Sequence, residues 1–261
     1  MHMKYRLAIF DFDGTLADSF PFFAQVFNQL AEQHGFKKID PDLAPTFRHY
    51  NARQIMKQVG MPDWKLPFVV KSFTSLMRQN AASISLFQHI DELLLYLANR
   101  AVTLAIVSSN SYDNVSQILG PENTKLISQF ECGVSIFGKP ARIQKVLKKT
   151  GIPCREVIYI GDQVADLEAA RKEKVAFGAV SWGTKRLNLS GNISLKRSLI
   201  VFTPSEESPS RLLIKSVSIV LAALRGSTYR SVRLASLLAA ALLDGLSEQP
   251  ATSERVWFRC A

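Results

Sequence analysis

Two carboxylates one residue apart close the first apolar run of the chain: Leu7-Ala8-Ile9-Phe10 leads into Asp11-Phe12-Asp13-Gly14-Thr15. A short apolar run bounded this way reads as a buried strand, and Gly14 breaks it into a turn. In an open α/β sheet, ligands bind just beyond the carboxyl ends of the strands. Asp11 and Asp13 therefore stand where a ligand would arrive. They could share a cation, or one could attack while the other moves protons. A purely structural alternative is an acidic turn in which Asp18 or Ser19 caps the following helix.

Two further strand ends carry polar chemistry. The apolar run 102–107 ends on Ser108-Ser109-Asn110-Ser111, and the run 157–160 ends on Gly161-Asp162-Gln163-Val164-Ala165-Asp166. In a parallel sheet all three ends lie on one edge. Asp11, Asp13, Ser108, Asp162 and Asp166 then converge, and Lys139, just ahead of a basic amphipathic helix, can reach the same place. Clustered acids repel one another unless a cation joins them. Hard oxygen ligands of this kind suit Mg²⁺, which prefers carboxylates together with phosphate. Ser108 can donate a hydrogen bond to a phosphoryl oxygen, and Lys139 adds a fixed positive charge. Phosphoryl transfer needs mainly positioning and charge neutralisation, and a carboxylate nucleophile is a known form of covalent catalysis. Taken singly, Ser108 reads as a helix cap, Lys139 as a solvated loop lysine and Asp166 as an acid at a helix N-terminus. Their joint spacing argues for a site.

The elements that must position these residues follow from periodicity. Phe23, Val26, Phe27, Leu30 and Ala31 mark a first helix, ended by Gly35. Further helices are expected over 51–59, 64–77 and 90–100, with no strand pattern between 18 and 100. After the strand 102–107, a helix bearing Val115, Ile118 and Leu119 closes at Gly120-Pro121. A less regular stretch follows, then the basic helix after Lys139, the strand 157–160, a helix from about 164, and a fourth strand over 176–180. Strands alternating with helices argue for a parallel sheet, here with a helical insertion after the first strand.

Composition bounds the rest. The 261 residues are 47% hydrophobic and 21% charged, enough for a sizeable core and unlike a disordered chain. The net charge is +10, of which +6 falls in residues 185–261. The basic surplus thus describes the tail more than the site. It favours anionic partners. Cys132, Cys154 and Cys260 form no CxxC pair, which suits a reducing compartment. Met1-His2-Met3-Lys4 lacks a signal-peptide pattern, and the apolar runs fall short of the ~20 residues of a membrane helix. A cytoplasmic location is expected. The histidines form no HxH or HxxxH pair, and no GxGxxG is present, so neither a histidine metal site nor a dinucleotide site is indicated.

Asp11-Phe12-Asp13-Gly14-Thr15, the strand ending in Ser108, Lys139, and Gly161-Asp162-x-x-x-Asp166 resemble the four motifs of the haloacid dehalogenase (HAD) superfamily. The helical insertion between the first and second motifs resembles the phosphoglycolate phosphatase-like group with a helical cap. The resemblance covers roughly residues 4–214. It implies a Rossmann-like parallel-sheet core from residues 1–18 and 90–214 and a helical cap from 19–89. Residues 215–261 are left as an atypical basic tail, partly helical or disordered.

The same resemblance implies roles. Asp11 is the nucleophile. Asp13 protonates the leaving oxygen and later activates water. Asp11, Asp13 through its backbone carbonyl, and Asp162 hold Mg²⁺, with Asp166 beside them. Ser108 and Lys139 orient and neutralise the phosphoryl group. Gly14, Thr15, Ser109 and Asn110 are candidate substrate contacts. So is Arg53, with Arg48 as its rival, because a guanidinium suits a second anionic group on a small substrate. An acid at position 13 favours phosphate chemistry over carbon–halogen cleavage.

The expected activity is Mg²⁺-dependent hydrolysis of a small phosphomonoester through an aspartyl-phosphate, with phosphoglycolate as the family's suggestion. The alternatives are a phosphotransferase or mutase, and a non-catalytic binding protein of the same fold. The expected partner is a small phosphorylated metabolite, with no transmembrane segment, nucleic acid not expected, and a monomer or homodimer.

Overall fold

A six-stranded parallel sheet runs in the order β3-β2-β1-β4-β5-β6. Its strands are β1 (Leu7–Phe10), β2 (Thr103–Val107), β3 (Gln129–Glu131), β4 (Val157–Gly161), β5 (Ala176–Val180) and β6 (Leu199–Phe202). The computed structural model describes residues 5–48, 50, 52–133, 138–180, 182 and 199–202. The tail 215–261 and the stretch 185–197 lie outside the described residues, as does Cys260.

Strand alternation sends successive side chains to opposite faces, and β1 shows why both faces must be covered. Ala8 and Phe10 join a core with Ile106, Ile158 and Ile160 beneath α5 (Ile90–Ala98) and α6 (Tyr112–Leu126). Leu7 and Ile9 join a second core with Val107 and Tyr159 beneath α7 (Lys139–Thr150) and α8 (Val164–Lys172). With both faces buried, the strands read as unbroken apolar runs. This is the doubly wound α/β architecture expected from the pattern.

Between β1 and β2 lie α1 (Phe20–His34), α2 (Ala44–Phe47), α3 (Ala52–Gln58) and α4 (Leu66–Gln79). Pro21 sits in the first turn of α1, where its missing N–H costs nothing, and Gly35 ends the helix at φ 62°. These helices share an apolar cluster centred on Phe27, Phe47, Met56 and Val59, while Phe22, Val26 and Leu30 of α1 and Met77 of α4 join the core beneath α5 and α6. The chain leaves and rejoins the sheet side by side. Ala17 bridges Leu86, the Asp18 amide donates to the Ser85 carbonyl at 2.9 Å, and the Phe87 amide donates to the Leu16 carbonyl at 2.9 Å.

The first segment of α6 ends at Gly120-Pro121, as its sequence predicts. The structure departs from the sequence reading in three places beyond that. Gly120 breaks the helix at φ 75°, and the chain resumes helical geometry as far as Leu126. Proline is well placed there, because it opens the second segment. The stretch that followed contains β3, three residues long and carrying the polar Gln129 and Glu131. A sixth strand, β6, pairs with β5.

Candidate active site

The carboxyl ends of β1, β2 and β4 place their polar residues on one edge. β1 is central, paired with β2 on one side and β4 on the other. The Asp11 amide still donates to the Ile160 carbonyl at 2.8 Å, so Asp11 is held almost as a strand residue. Gly14, at φ 80°, turns the chain immediately afterwards, and its amide donates to the Ala17 carbonyl at 2.9 Å. A side chain at that φ would be strained.

Asp11, Asp162 and Asp166 are all buried, and each offers a carboxylate oxygen within 4.8 Å of the others. Lys139, the first residue of α7, reaches into this cluster. Its Nζ lies 2.8 Å from Asp11 Oδ2 and 2.5 Å from Asp166 Oδ1. Burial works against the lysine's charge, but Asp11 and Asp166 outweigh it and hold its pKa well above the ordinary value. Burial pushes the Asp11 pKa well up, and Lys139 restrains part of that rise.

Asp166 has both oxygens engaged. Oδ2 accepts from the Gln163 amide at 2.9 Å, closing a capping box at the start of α8. Oδ1 accepts from Lys139 and from the Tyr159 hydroxyl at 3.2 Å. Asp166 therefore both closes the start of α8 and stands in the buried carboxylate cluster. Gly161 explains how it comes so close: a Cβ there would lie 2.5 Å from Asp166 Oδ2.

Three buried carboxylates facing one ammonium leave an excess of negative charge, a costly arrangement in a low-dielectric interior. The donor set, all hard oxygens, fits a small divalent cation. Asp11, Asp162 and Asp166 each present a carboxylate oxygen that could reach such an ion.

Asp13 is set apart from that cluster. Its Oδ2 accepts from Asn110 Nδ2 at 3.2 Å, and its Oδ1 is buried with no partner in good hydrogen-bonding geometry among the described residues. Burial raises its pKa, and the Ser19 hydroxyl and Asn110 amide offset part of the rise. A carboxyl biased toward its protonated form, one oxygen held and the other free, is suited to giving up a proton.

Ser108, 1% exposed, accepts from the Asn110 amide at 3.0 Å. It does not cap α6; Ser111 does, accepting from the Asn114 amide at 3.3 Å. Among the described residues the Ser108 proton has no acceptor, which leaves it available to a ligand. Ser109 beside it is half-buried. Thr15 is buried and directs its hydroxyl toward Asp162 Oδ1 at 3.5 Å, while its carbonyl accepts from Trp182 Nε1 at 3.2 Å. Asn110 is buried against Asp13 and Met77.

The two candidate arginines, Arg48 and Arg53, differ. Arg48 donates to Asp18 Oδ1 at 2.9 Å and lies over the Phe20 ring, 4.9 Å from its centroid. Arg53, in the first turn of α3, is exposed. Sequence reasoning missed Ser19, Tyr159 and Asn114. Ser19 read as a cap and Tyr159 as one more residue of an apolar strand. Only the fold brings them to the site.

Comparison with known proteins gives a consistent picture. A family model described as haloacid dehalogenase-like hydrolase matches residues 8–180. A phosphoglycolate phosphatase of Synechococcus elongatus is 31% identical over 176 residues, 67% of this chain and 83% of that protein. The pyrophosphatase PpaX of Oceanobacillus iheyensis is 25% identical, over 71% of this chain and 88% of that protein. Among solved structures, a haloacid dehalogenase-like family hydrolase from Streptococcus pneumoniae superposes with a TM-score of 0.62 at 19% identity, covering 76% of this chain and 94% of that one.

Proposed function

The chain belongs to the haloacid dehalogenase-like hydrolase family and is a phosphoric monoester hydrolase, and from that premise we propose its mechanism and substrate class. The reading is a Mg²⁺-dependent phosphatase acting through an aspartyl-phosphate. The observation that carries it is the division of labour between the two β1 acids. Asp11 sits in the carboxylate cluster with Lys139 at 2.8 Å, whereas Asp13 sits outside it with one oxygen held by Asn110.

In the first step a carboxylate oxygen of Asp11 attacks phosphorus, and the bond to the leaving oxygen breaks as Asp13 gives that oxygen its proton. In the second step Asp13, now ionised, takes a proton from water as the water oxygen attacks the same phosphorus. Inorganic phosphate leaves, and the Asp11 carboxylate is restored. Ser108 donates to a phosphoryl oxygen, and Lys139 offsets the charge of the group. Asp11, Asp162 and the Asp13 carbonyl would hold Mg²⁺, backed by Asp166, and its contribution is neutralisation of the dianionic phosphoryl group. Thr15 holds Asp162 in place, while Gly14, Ser109 and Asn110 border the substrate.

We take residues 19–89 as a cap over a core built from 1–18 and 90–214. The apolar cluster centred on Phe27, Phe47, Met56 and Val59 and the paired crossing at Ala17 and Leu86 support this division, while Phe22, Val26, Leu30 and Met77 pack on the core. The cap sets the substrate. Arg53 is proposed as the contact for a second anionic group, and the Synechococcus relative makes phosphoglycolate the first substrate to test.

The test is phosphate release from phosphoglycolate, pyrophosphate and p-nitrophenyl phosphate with and without Mg²⁺, beside Asp11→Asn. Release should require Mg²⁺ and fall at least ~100-fold in the variant, because the covalent step is gone. Undiminished turnover in Asp11→Asn sinks the mechanism.

A further inference from the structure

Asn114 lies in α6, one turn beyond the loop that carries Ser108 and Asn110. It is wholly buried, and its Oδ1 has no hydrogen-bond partner among the described residues. A buried carbonyl left unpaired lowers stability, and leucine, of similar size, would avoid that cost. The amide end shows what the residue does. Nδ2 donates to the Thr74 carbonyl of α4 at 3.0 Å and to Asn110 Oδ1 at 2.9 Å.

Asn110 is fixed in turn. Its Oδ1 accepts from Asn114 and from the Ser111 amide at 2.9 Å, and its Nδ2 donates to Asp13 Oδ2 and to Met77 Sδ at 2.9 Å. With donors around one end of the amide and acceptors around the other, only one orientation satisfies it. Thr74 and Met77 are three residues apart on α4, and so share one face. A continuous polar line therefore runs from a helix of the insertion, through two hydrogen-bonded amides, to the carboxyl proposed to move the proton.

We propose that Asn114 and Asn110 are positioning residues that make the orientation of Asp13 depend on the seating of α4 against α6. The coupling rests on the proton-transfer role of Asp13 given above. With α4 seated, the Asn110 amide is locked and directs Asp13 Oδ1 toward the leaving oxygen. With α4 displaced, Asn110 loses Met77, Asn114 loses the Thr74 carbonyl, and Asp13 is free to turn away.

Two esters of similar size separate this from a merely structural role. Phenyl phosphate expels a basic phenolate that needs a proton as the bond breaks. p-Nitrophenyl phosphate expels a weakly basic one that needs it far less. General acid catalysis is worth about 10²–10⁴-fold when fully in place, and misorienting the acid forfeits part of it. In Asn114→Leu, kcat/KM for phenyl phosphate should fall about tenfold, and at least about fivefold more than for p-nitrophenyl phosphate, with KM for either changed less than about twofold. Asn114→Ser gives the same pattern with less change in packing and serves if the leucine variant does not fold. Equal loss on both esters, or no loss in a folded variant, overturns the coupling while leaving the phosphatase reading intact. A wild-type chain that releases phosphate in Mg²⁺ from neither ester and from neither phosphoglycolate nor pyrophosphate overturns both.

Discussion

Replacing Glu131 with glutamine removes an anion on which three cations of α7 converge. Glu131 is only 2% exposed, and its carboxylate accepts from Arg142 at 2.9 Å, Lys145 at 3.0 Å and Lys149 at 2.9 Å. Burial alone would raise its pKa, but bonds from Lys149, Lys145 and Arg142 lower it from 4.5 to about 2. At about 1.4 kcal/mol per pH unit of separation between folded and unfolded values, that lowering corresponds to about 3 kcal/mol. The three cations are 34–51% exposed, so solvent screening reduces the contribution to about 1–2 kcal/mol. Because the folded value lies below the unfolded one, this stability is present above pH 4.5 and is lost as the pH falls toward 2.

Glu131→Gln should therefore lower the melting temperature by about 2–8 °C at pH 7, with the gap to wild type closing between pH 4.5 and 2. Thermal and urea unfolding across pH 2–7 measures both. α7 begins at Lys139, so the variant should also lose some turnover, by loosening the helix that carries the lysine. Melting within 1 °C of wild type at pH 7, or a gap that persists unchanged at low pH, refutes the electrostatic account of this cluster.

Two other outcomes follow from the site. Mg²⁺ should raise the melting temperature of the wild type, by an amount set by ligand concentration over dissociation constant. Asp162→Asn should lose most of that rise, and an undiminished rise would remove Asp162 from the metal site. Arg53→Ala should raise KM for phosphate esters bearing a second anionic group and leave phenyl phosphate nearly unaffected. Equal effects on both would deny it that contact.

Much of this architecture is legible from residue order. β1, β2, β4 and β5 are apolar runs because both faces of the sheet are covered, and the glycines and polar residues at their ends announce the edge where Asp11, Ser108 and Asp162 meet. β3 is not legible. It has three residues, and Glu131 is buried in it only because α7 supplies compensating cations. The proposed chemistry of Asp11 is likewise readable from its motif. The surroundings of Asp13 are not, because Ser19 and Asn114 look like ordinary helix-start and helix-interior residues until the helices are packed. Arg48 shows a related limit. Its type suggested a ligand contact, but the ion pair with Asp18 and the ring of Phe20 are tertiary facts.

The side-by-side crossing at Ala17 and Leu86 also bears on the order in which the protein folds. Pairing β1 with β2 joins residues 7 and 103, a long loop whose closure entropy grows with the logarithm of its length. If the helices between them assemble first on their own local contacts, Ala17 and Leu86 are already adjacent, and the free chain left to close is roughly a quarter as long. The saving is about 1 kcal/mol, or roughly fivefold to tenfold in rate. The insertion is thus a splint: folded early, it makes the central strand pair of the sheet nearly local.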